Sequence, residues 1–407
     1  MRKRLGFGSN FLRVPHVESP ADARRAIVRA QENSRRFLVQ LQKVAPELSE
    51  RDLKSAVREY LFSGIAALDA CKREYVEDGG FPPSEFGALQ LVATSRNLDL
   101  TEMSGRPAVV KPKKHDLKPD RLVIEFHPLD RMRQRLVKRV LAAAFQPPSF
   151  QYQGKGRGCI AARAALREAL HDPQFTHVVQ ADIKNFYGSI NQDAAVEATP
   201  LPRGVAKAVL PTSSYRFVWG DTQSRLAHGC IPQPSTIPLG KGVGIPQGSA
   251  CSGILAAMVL RDLRDLVENR TGSNAHLIVY EDDIIILCRS RREGDRLLRA
   301  LKAALEAHLV GPFCLGVGRV LALDQPVNFL GCRFQRTRTG SVEQDVSEVR
   351  REDLLFFLGT EILHGGWPAC PLPESVINRI KGLYGAYRDC PAFLGELAEI
   401  EAQTWRW

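Results

Sequence analysis

Hydrophobic positions follow helical spacing through the first part of the chain, strand-like runs through its middle, and helical spacing again towards the end. From about residue 19 to 75, Leu53, Ala56, Val57, Tyr60, Leu61, Ile65 and Leu68 recur every three or four positions, the pattern of one buried helical face. Ser19-Pro20 supplies a cap and a proline at the first helical position, and Ser49-x-x-Asp52 resembles a second capping box. An α-helical N-terminal region is predicted. Residues 78 to 120 mix Gly, Pro and charge, including Lys111, Lys113 and Lys114, and predict a loop-rich connection.

In the middle of the chain, Arg121-Leu-Val-Ile-Glu-Phe126 reads as a strand. Pro128 and Asp130 then open a helix carrying Arg131, Arg133, Arg135, Lys138 and Arg139, which ends at Pro147-Pro148 and offers a basic surface to a polyanion. Another helix begins near Ile160. Val178 to Asp182 is an apolar strand ending on a carboxylate. Residues 196 to 240 predict irregular structure with short helices, Trp219 being their bulky anchor. Gly244-Ile-Pro-Gln-Gly-Ser249 is a rigid turn running into a helix from Ala250 to Leu266. Leu277-Ile-Val-Tyr-Glu-Asp-Asp-Ile-Ile-Ile-Leu287 sets two short apolar β-type runs on either side of an acidic turn, which predicts a hairpin with acid at its tip. Leu297, Leu298, Leu301, Leu305 and Leu309 form the apolar stripe of a helix from Ser290. Two or three strands follow over 312 to 336, broken by Asp324-Gln-Pro326, and then helices near Val349 to Leu363 and Pro373 to Tyr387.

The acidic tip changes the picture from fold to chemistry. Asp282 and Asp283 repel unless one keeps its proton or a cation neutralises them, and a divalent metal is the natural neutraliser. Asp182, about a hundred positions earlier, ends its own strand and is placed to face Asp282 across the sheet. A second candidate lies in Gln153-Gly-Lys-Gly-Arg-Gly158: glycines let backbone amides approach an anion, and Lys155 and Arg157 add charge, as a triphosphate cradle requires. Overall, 56 Lys plus Arg against 45 Asp plus Glu give a net charge of +11, in keeping with a polyanion partner. The nine cysteines stand singly without C-x-x-C spacing and read as reduced thiols. No run is long and apolar enough for a bilayer, and no signal-peptide core follows Met1-Arg-Lys-Arg4, so a cytoplasmic protein is expected.

A strand ending on Asp182 with an aromatic five residues on, then Pro246-Gln-Gly, then Tyr280-x-Asp-Asp, then Phe329-Leu-Gly, resembles the ordered motif set of reverse transcriptases over roughly Arg121 to Phe334. The chain looks more like the bacterial retron, group II intron and phage-defence-associated types than like retroviral enzymes. The resemblance implies an α/β (α+β) polymerase right hand: a palm with an antiparallel sheet and fingers over 116–340, a helical thumb over 341–407, and a helical N-terminal extension over 1–115. It implies an RNA-directed DNA polymerase, a nucleotidyltransferase that uses two magnesium ions, with manganese as a substitute in vitro.

On that resemblance Asp182 and Asp282 bridge both ions, Asp283 completes the cluster and Ile183 offers its carbonyl. Tyr187 walls off the sugar 2′-hydroxyl and selects deoxynucleotides. Gln247 touches the incoming nucleotide or template, and Phe329, Leu330 and Gly331 support the primer end. In the thumb, Arg379, Lys381, Tyr384, Tyr387 and Arg388 alternate basic and aromatic groups as a nucleic-acid groove does. Two features depart from the family. Glu281 occupies the position that is small or apolar elsewhere, and it has three fates: solvation, the metal cluster, or a hydrogen bond to a sugar or base. No late lysine motif follows the hairpin, with Arg319 its nearest stand-in. Expected partners are an RNA template or structured noncoding RNA, the DNA product and deoxynucleotides, with a partner protein or homo-oligomer left open. Phage defence is the expected role; a retron-like or intron-derived enzyme, a template-independent or protein-primed polymerase, and an RNA-binding scaffold are the alternatives.

Overall fold

Ser19 caps the first helix: its hydroxyl accepts the Asp22 amide, the Asp22 carboxylate accepts the Ser19 amide in return, and Pro20 opens the first turn. The computed structural model describes residues 12–77, 85–113, 121–154, 156–220, 244–272, 275–364 and 374–405. Its N-terminal region comprises α1 (Pro20–Val44), α2 (Glu50–Leu61) and α3 (Gly64–Glu77). The stretch read as loop also holds regular structure, α4 (Glu85–Arg96) and β1 (Pro107–Lys113). Most of its Gly and Pro residues flank α4, where Ala88, Leu91 and Val92 are buried and the helix packs on α3. Burial there overrides the composition.

After β2 (Arg121–Glu125) comes α5 (Pro128–Ala144), and its positive charges turn inward. Arg131 and Arg135 converge on Glu74 of α3, Arg139 meets Asp69 of the same helix, and Arg133 pairs with Asp130. Glu74 and Asp69 are buried. The expected polyanion surface is therefore corrected for these residues: four of the five basic side chains neutralise buried carboxylates, and of the five only Lys138 is exposed.

Next in the chain are α6 (Cys159–His171), β3 (His177–Lys184), three short helices α7 (Phe186–Ser189), α8 (Gln192–Glu197) and α9 (Arg203–Val209), and β4 (Arg216–Trp219). Strand β1 pairs antiparallel with β2 and parallel with β4, and Trp219 is buried with Val110, Ile124 and Phe217 on this small sheet. The single helix predicted over 250–266 is two, α10 (Ser252–Val259) and α11 (Leu263–Thr271). Helix α10 is buried along Leu255 to Val259, whereas α11 buries only Leu263 and Val267. The chain bends between them so that an apolar helix crosses the core and an amphipathic one lies at the surface.

The central sheet has the order β5 (His276–Tyr280), β6 (Asp283–Cys288), β3, β7 (Cys314–Ala322), all antiparallel neighbours. Strands β5 and β6 are apolar without alternation because both of their faces are covered, whereas the edge strand β7 is largely exposed. Val179, Ala181, Ile284 and Ile286 join the core shared with the N-terminal helices, while Val178, Ile278, Ile285 and Leu287 join a second core with the C-terminal region. Helix α12 (Arg291–Glu306) covers the first face through Leu297, Leu301 and Leu305. Leu309 falls past its end and is 92% exposed, so the predicted stripe stops at Leu305.

Strands β8 (Val327–Phe329), β9 (Cys332–Arg336) and the unpredicted β10 (Val342–Val346) form a third sheet. Helices α13 (Glu348–His364) and α14 (Glu374–Ala386) match the expected segments, and α15 (Pro391–Trp405) is a further helix of the tail expected to be helical. Buried Arg163 of α6 ties this region down: it donates to Asp389 at 2.8 Å, to the Ala386 carbonyl and to the Cys332 thiol, and stacks over Tyr387. Tyr387 is thus a core residue, while Arg379, Lys381 and Arg388 are exposed. No described helix is long and apolar enough to cross a membrane.

Candidate active site

Strand pairing brings the acids together. In the β3–β6 ladder Asp182 is the register partner of Asp283, so the two Cα atoms stand about 4.5–5.5 Å apart with side chains on one face. Asp282 lies in the turn beside them, and its carbonyl accepts the Ile183 amide at 3.2 Å, which fixes the turn to β3. The expectation that Asp182 faces Asp282 is refined to Asp283 as its direct partner, because Tyr280 pairs with Asp283 and leaves Glu281-Asp282 as the two turn residues. All three aspartates are half-buried.

On the other side of β3 the ladder with β7 slips: Asp182 pairs with Val317 but Ile183 with Leu315, leaving Gly316 as the extra residue of a bulge. Bulges re-aim side chains beside functional sites. A Cβ on Gly316 would stand 2.9 Å from Asp182 Oδ2. Gly316 is a site residue that motif reading misses, although a glycine inside the strand-like run Cys314 to Ala322 is itself a bulge signal. Gly316→Ala should lower nucleotide incorporation by roughly 10- to 100-fold with little change in melting temperature, since a displaced ligand or supporting group typically costs that much. Unchanged incorporation by a correctly folded variant would show that Asp182 has room to spare.

Tyr187 follows β3 in α7, half-buried, its ring tilted against buried Phe186 at 5.5 Å. Burial, with the charges of Glu281 and Asp282 added, pushes this phenol well above its ordinary range, so it is a proton donor at working pH. Glu281 has left-handed backbone geometry, φ 55°, a strain of about 1 kcal/mol that the hairpin turn imposes. Tyr280, one residue before Glu281, is also raised, chiefly by burial and then by the neighbouring Cys159 at the start of α6.

The segment from Gly244 is stitched along Tyr187: the Ile245 amide donates to the Tyr187 carbonyl at 2.9 Å and the Gly244 amide to the Ile190 carbonyl at 2.6 Å. Gln247 is exposed at the turn that follows. Gly248 needs to be glycine, with φ 102° and Ile124 O only 2.9 Å from where a Cβ would be.

Residues 153–158 hang on β5 beside the hairpin through the Tyr152 amide, which donates to the Val279 carbonyl at 2.9 Å. Gly154, Gly156 and Gly158 all take positive φ. Arg157 donates to the Pro148 and Gln151 carbonyls at 2.6 and 2.5 Å, so its guanidinium closes the loop. Lys155 lies outside the described residues.

Leu330 and Gly331 both have positive φ and make a two-residue turn between β8 and β9, as tight hairpins require. All three line a cleft of about 430 Å³ shared with Asp283, Asn328 and Arg350, Phe329 as a buried residue and the two turn residues partly exposed. A larger cleft of about 930 Å³ lies towards the other end of β5 and β6, by His276 and Arg289, and holds none of the aspartates. Arg319 donates to Gln180 Oε1 at 2.9 Å, one side-chain step of about 7 Å back from Asp182 along β3. It is held there, not at the acidic tip.

Among the described residues no three His, Cys, Asp or Glu side chains close into a metal cage by themselves. The oxygen-only donors Asp182, Asp282 and Asp283 nevertheless suit magnesium, which takes one or two carboxylates and completes its shell with water and substrate phosphate. No curated protein matches the sequence. A family model for reverse transcriptase (RNA-dependent DNA polymerase) matches residues 112–333, which include both acidic strands, Tyr187, the Pro246-Gln-Gly turn and the Phe329-Leu-Gly turn. That match spans more than half of the chain, which therefore belongs to the reverse transcriptase family and is an RNA-directed DNA polymerase.

Proposed function

We propose that the chain synthesises DNA from deoxynucleotides on an RNA template at the Asp182, Asp282 and Asp283 end of the central sheet. The observation that carries this reading is the β3–β6 register, which pairs Asp182 with Asp283 while Asp282 caps the adjoining turn. Bound magnesium ions, or manganese in their place, would neutralise phosphate charge and activate the primer hydroxyl for in-line attack. The protein's own part is alignment. Asp182, Asp282 and Asp283 hold the ions with help from the Ile183 carbonyl, and Gly316 leaves Asp182 the room to do so. Tyr187 closes the sugar side, Gln247 meets the incoming nucleotide or template, and the Leu330-Gly331 turn supports the primer end. Lys155 and Arg157 would bring charge to the triphosphate, with Arg157 holding the glycine loop closed.

In this reading 116–340 forms palm and fingers, 341–407 the thumb and 1–115 a helical extension sharing the palm's core. The biological setting we propose is antiviral defence, on the resemblance to bacterial phage-defence reverse transcriptases. Purified protein given a primed RNA template should extend it with deoxynucleotides in preference to ribonucleotides, and cells carrying it should resist phage in proportion to that activity. Equal use of both sugars would make an RNA polymerase the better reading. Protection that persists with Asp282→Asn would favour an RNA-binding scaffold.

A further inference from the structure

We infer that the large cleft at the far end of β5 is a binding site for a nucleoside monophosphate, its phosphate taken by Arg264 and its base seated on the open edge of the strand. The site lies apart from the acidic tip and does not depend on how that tip is read.

The cleft encloses about 930 Å³ where α11 and the segment around Phe150 leave part of the β5 edge uncovered. That is the size of a small-molecule site. Arg264 of α11 lines it, with its guanidinium carbon 4.7 Å from the centre of the Phe150 ring, a cation–π contact that steadies the group. Its Nε is buried without a partner, and among the described residues the guanidinium makes no hydrogen bond or ion pair. This sets Arg264 apart from the arginines of α5, each of which has a carboxylate. A partly desolvated cation with open donors is costly until an anion meets it, and its planar fork suits a phosphate.

The strand edge supplies the second feature. The Val279 amide donates to the Phe150 carbonyl at 2.8 Å and the Val279 carbonyl accepts the Tyr152 amide at 2.9 Å, so both groups of Val279 point away from β6. Backbone groups alternate along a strand, so the N–H and C=O of Leu277 leave on that same side, into the cleft that Leu277 lines. Among the described residues they have no backbone partner there. One free donor beside one free acceptor is too short an edge for an added strand, but it matches the acceptor and donor side by side on adenine. His276, its ring tilted against Phe175 at 5.3 Å, gives the base an aromatic wall.

Charge sets the size of the anion. Arg289 is the other arginine of the cleft and donates to Gln174 Oε1 at 3.2 Å. Against the two arginines stand Glu268 and Glu293, which accept the Ala275 and Arg289 amides at 2.8 and 2.7 Å. With the charges balanced, a single phosphate on a neutral body fits, whereas a triphosphate or a nucleic-acid strand would set excess negative charge against both carboxylates.

The test is calorimetric titration of the full-length protein with adenosine monophosphate in magnesium-free buffer, where saturable binding is expected. Adenosine and inorganic phosphate should each bind at least about tenfold more weakly, and adenosine triphosphate no more tightly. Arg264→Ala should weaken the monophosphate by roughly tenfold or more, the scale of a hydrogen bond to a charged group, and Phe150→Leu by roughly two- to fivefold. Arg264→Lys keeps the charge and loses the fork; it should also bind several-fold more weakly, and it stands in if the alanine variant unfolds. Arg270→Ala, on the exposed side of the same helix, and Asp282→Asn, at the acidic tip, should bind as wild type does. No saturable binding, or equal binding by wild type and the Arg264 variants, would overturn the site. Binding lost in Asp282→Asn but kept in Arg264→Lys would place the nucleotide at the acidic tip and overturn it equally. Triphosphate binding tenfold tighter than monophosphate would sink the choice of ligand.

Discussion

Asp182→Asn, and separately Asp282→Asn, should reduce DNA synthesis by at least on the order of a thousandfold, about 4 kcal/mol of barrier, with the fold left intact. Asn keeps the size of Asp and one oxygen but not the charge, so what is lost is electrostatic. Asp182 sits half-buried at the end of β3 beside Asp283, and neither core cluster depends on its side chain. Because like charges at this spacing repel, melting of the metal-free protein should not fall when one is neutralised. Magnesium should raise the melting temperature of wild type by mass action, and should do so less in either variant. Incorporation within tenfold of wild type by either one would remove these residues from the catalytic set, and an unaltered magnesium effect would remove them from the metal site.

The acidic hairpin is legible in the sequence because both faces of its strands are covered, which writes them as apolar runs meeting at the carboxylates; the strand beside it is legible as an apolar run, broken at Gln180, that leads to Asp182. The capping residues Ser19 and Ser49 are legible because a cap is a local hydrogen bond. What depends on pairing between distant segments is not. The bulge at Gly316 exists only relative to β3, 130 positions earlier in the chain. Arg157 looks like a phosphate ligand until the Pro148 and Gln151 carbonyls are found under it. Phe329 reads as part of the primer support and does line the cleft, yet it is buried in the core and only Leu330 and Gly331 of the three are partly exposed. The helical character of the tail is legible, but α15 as a separate helix is not, because its apolar positions, Phe393, Leu394 and Leu397, bury against partners whose location the local spacing does not reveal.

The α5 helix shows the same limit with the largest consequence for stability. Five positive residues from Arg131 to Arg139 count as a polyanion surface in any tally of charge, but charge carries no record of its partner. Glu74, 1% exposed, faces Arg131 and Arg135, which are 26% and 22% exposed. Removing one partner of a buried pair leaves the others uncompensated and costs about 3–5 kcal/mol; the partial exposure of both arginines reduces this to roughly 2–4 kcal/mol here. Glu74→Gln should therefore lower the melting temperature by several degrees, with Asp69→Asn, which strands Arg139 and Arg73, doing the same. Arg131→Ala and Arg135→Ala should also destabilise, yet the slope of RNA affinity against salt should stay as in wild type, because neither guanidinium is engaged with phosphate. The measurement is thermal unfolding alongside RNA titrations at several salt concentrations. A slope reduced by about one charge per arginine, with melting unchanged, would return this helix to the nucleic-acid surface and undo its assignment to the core.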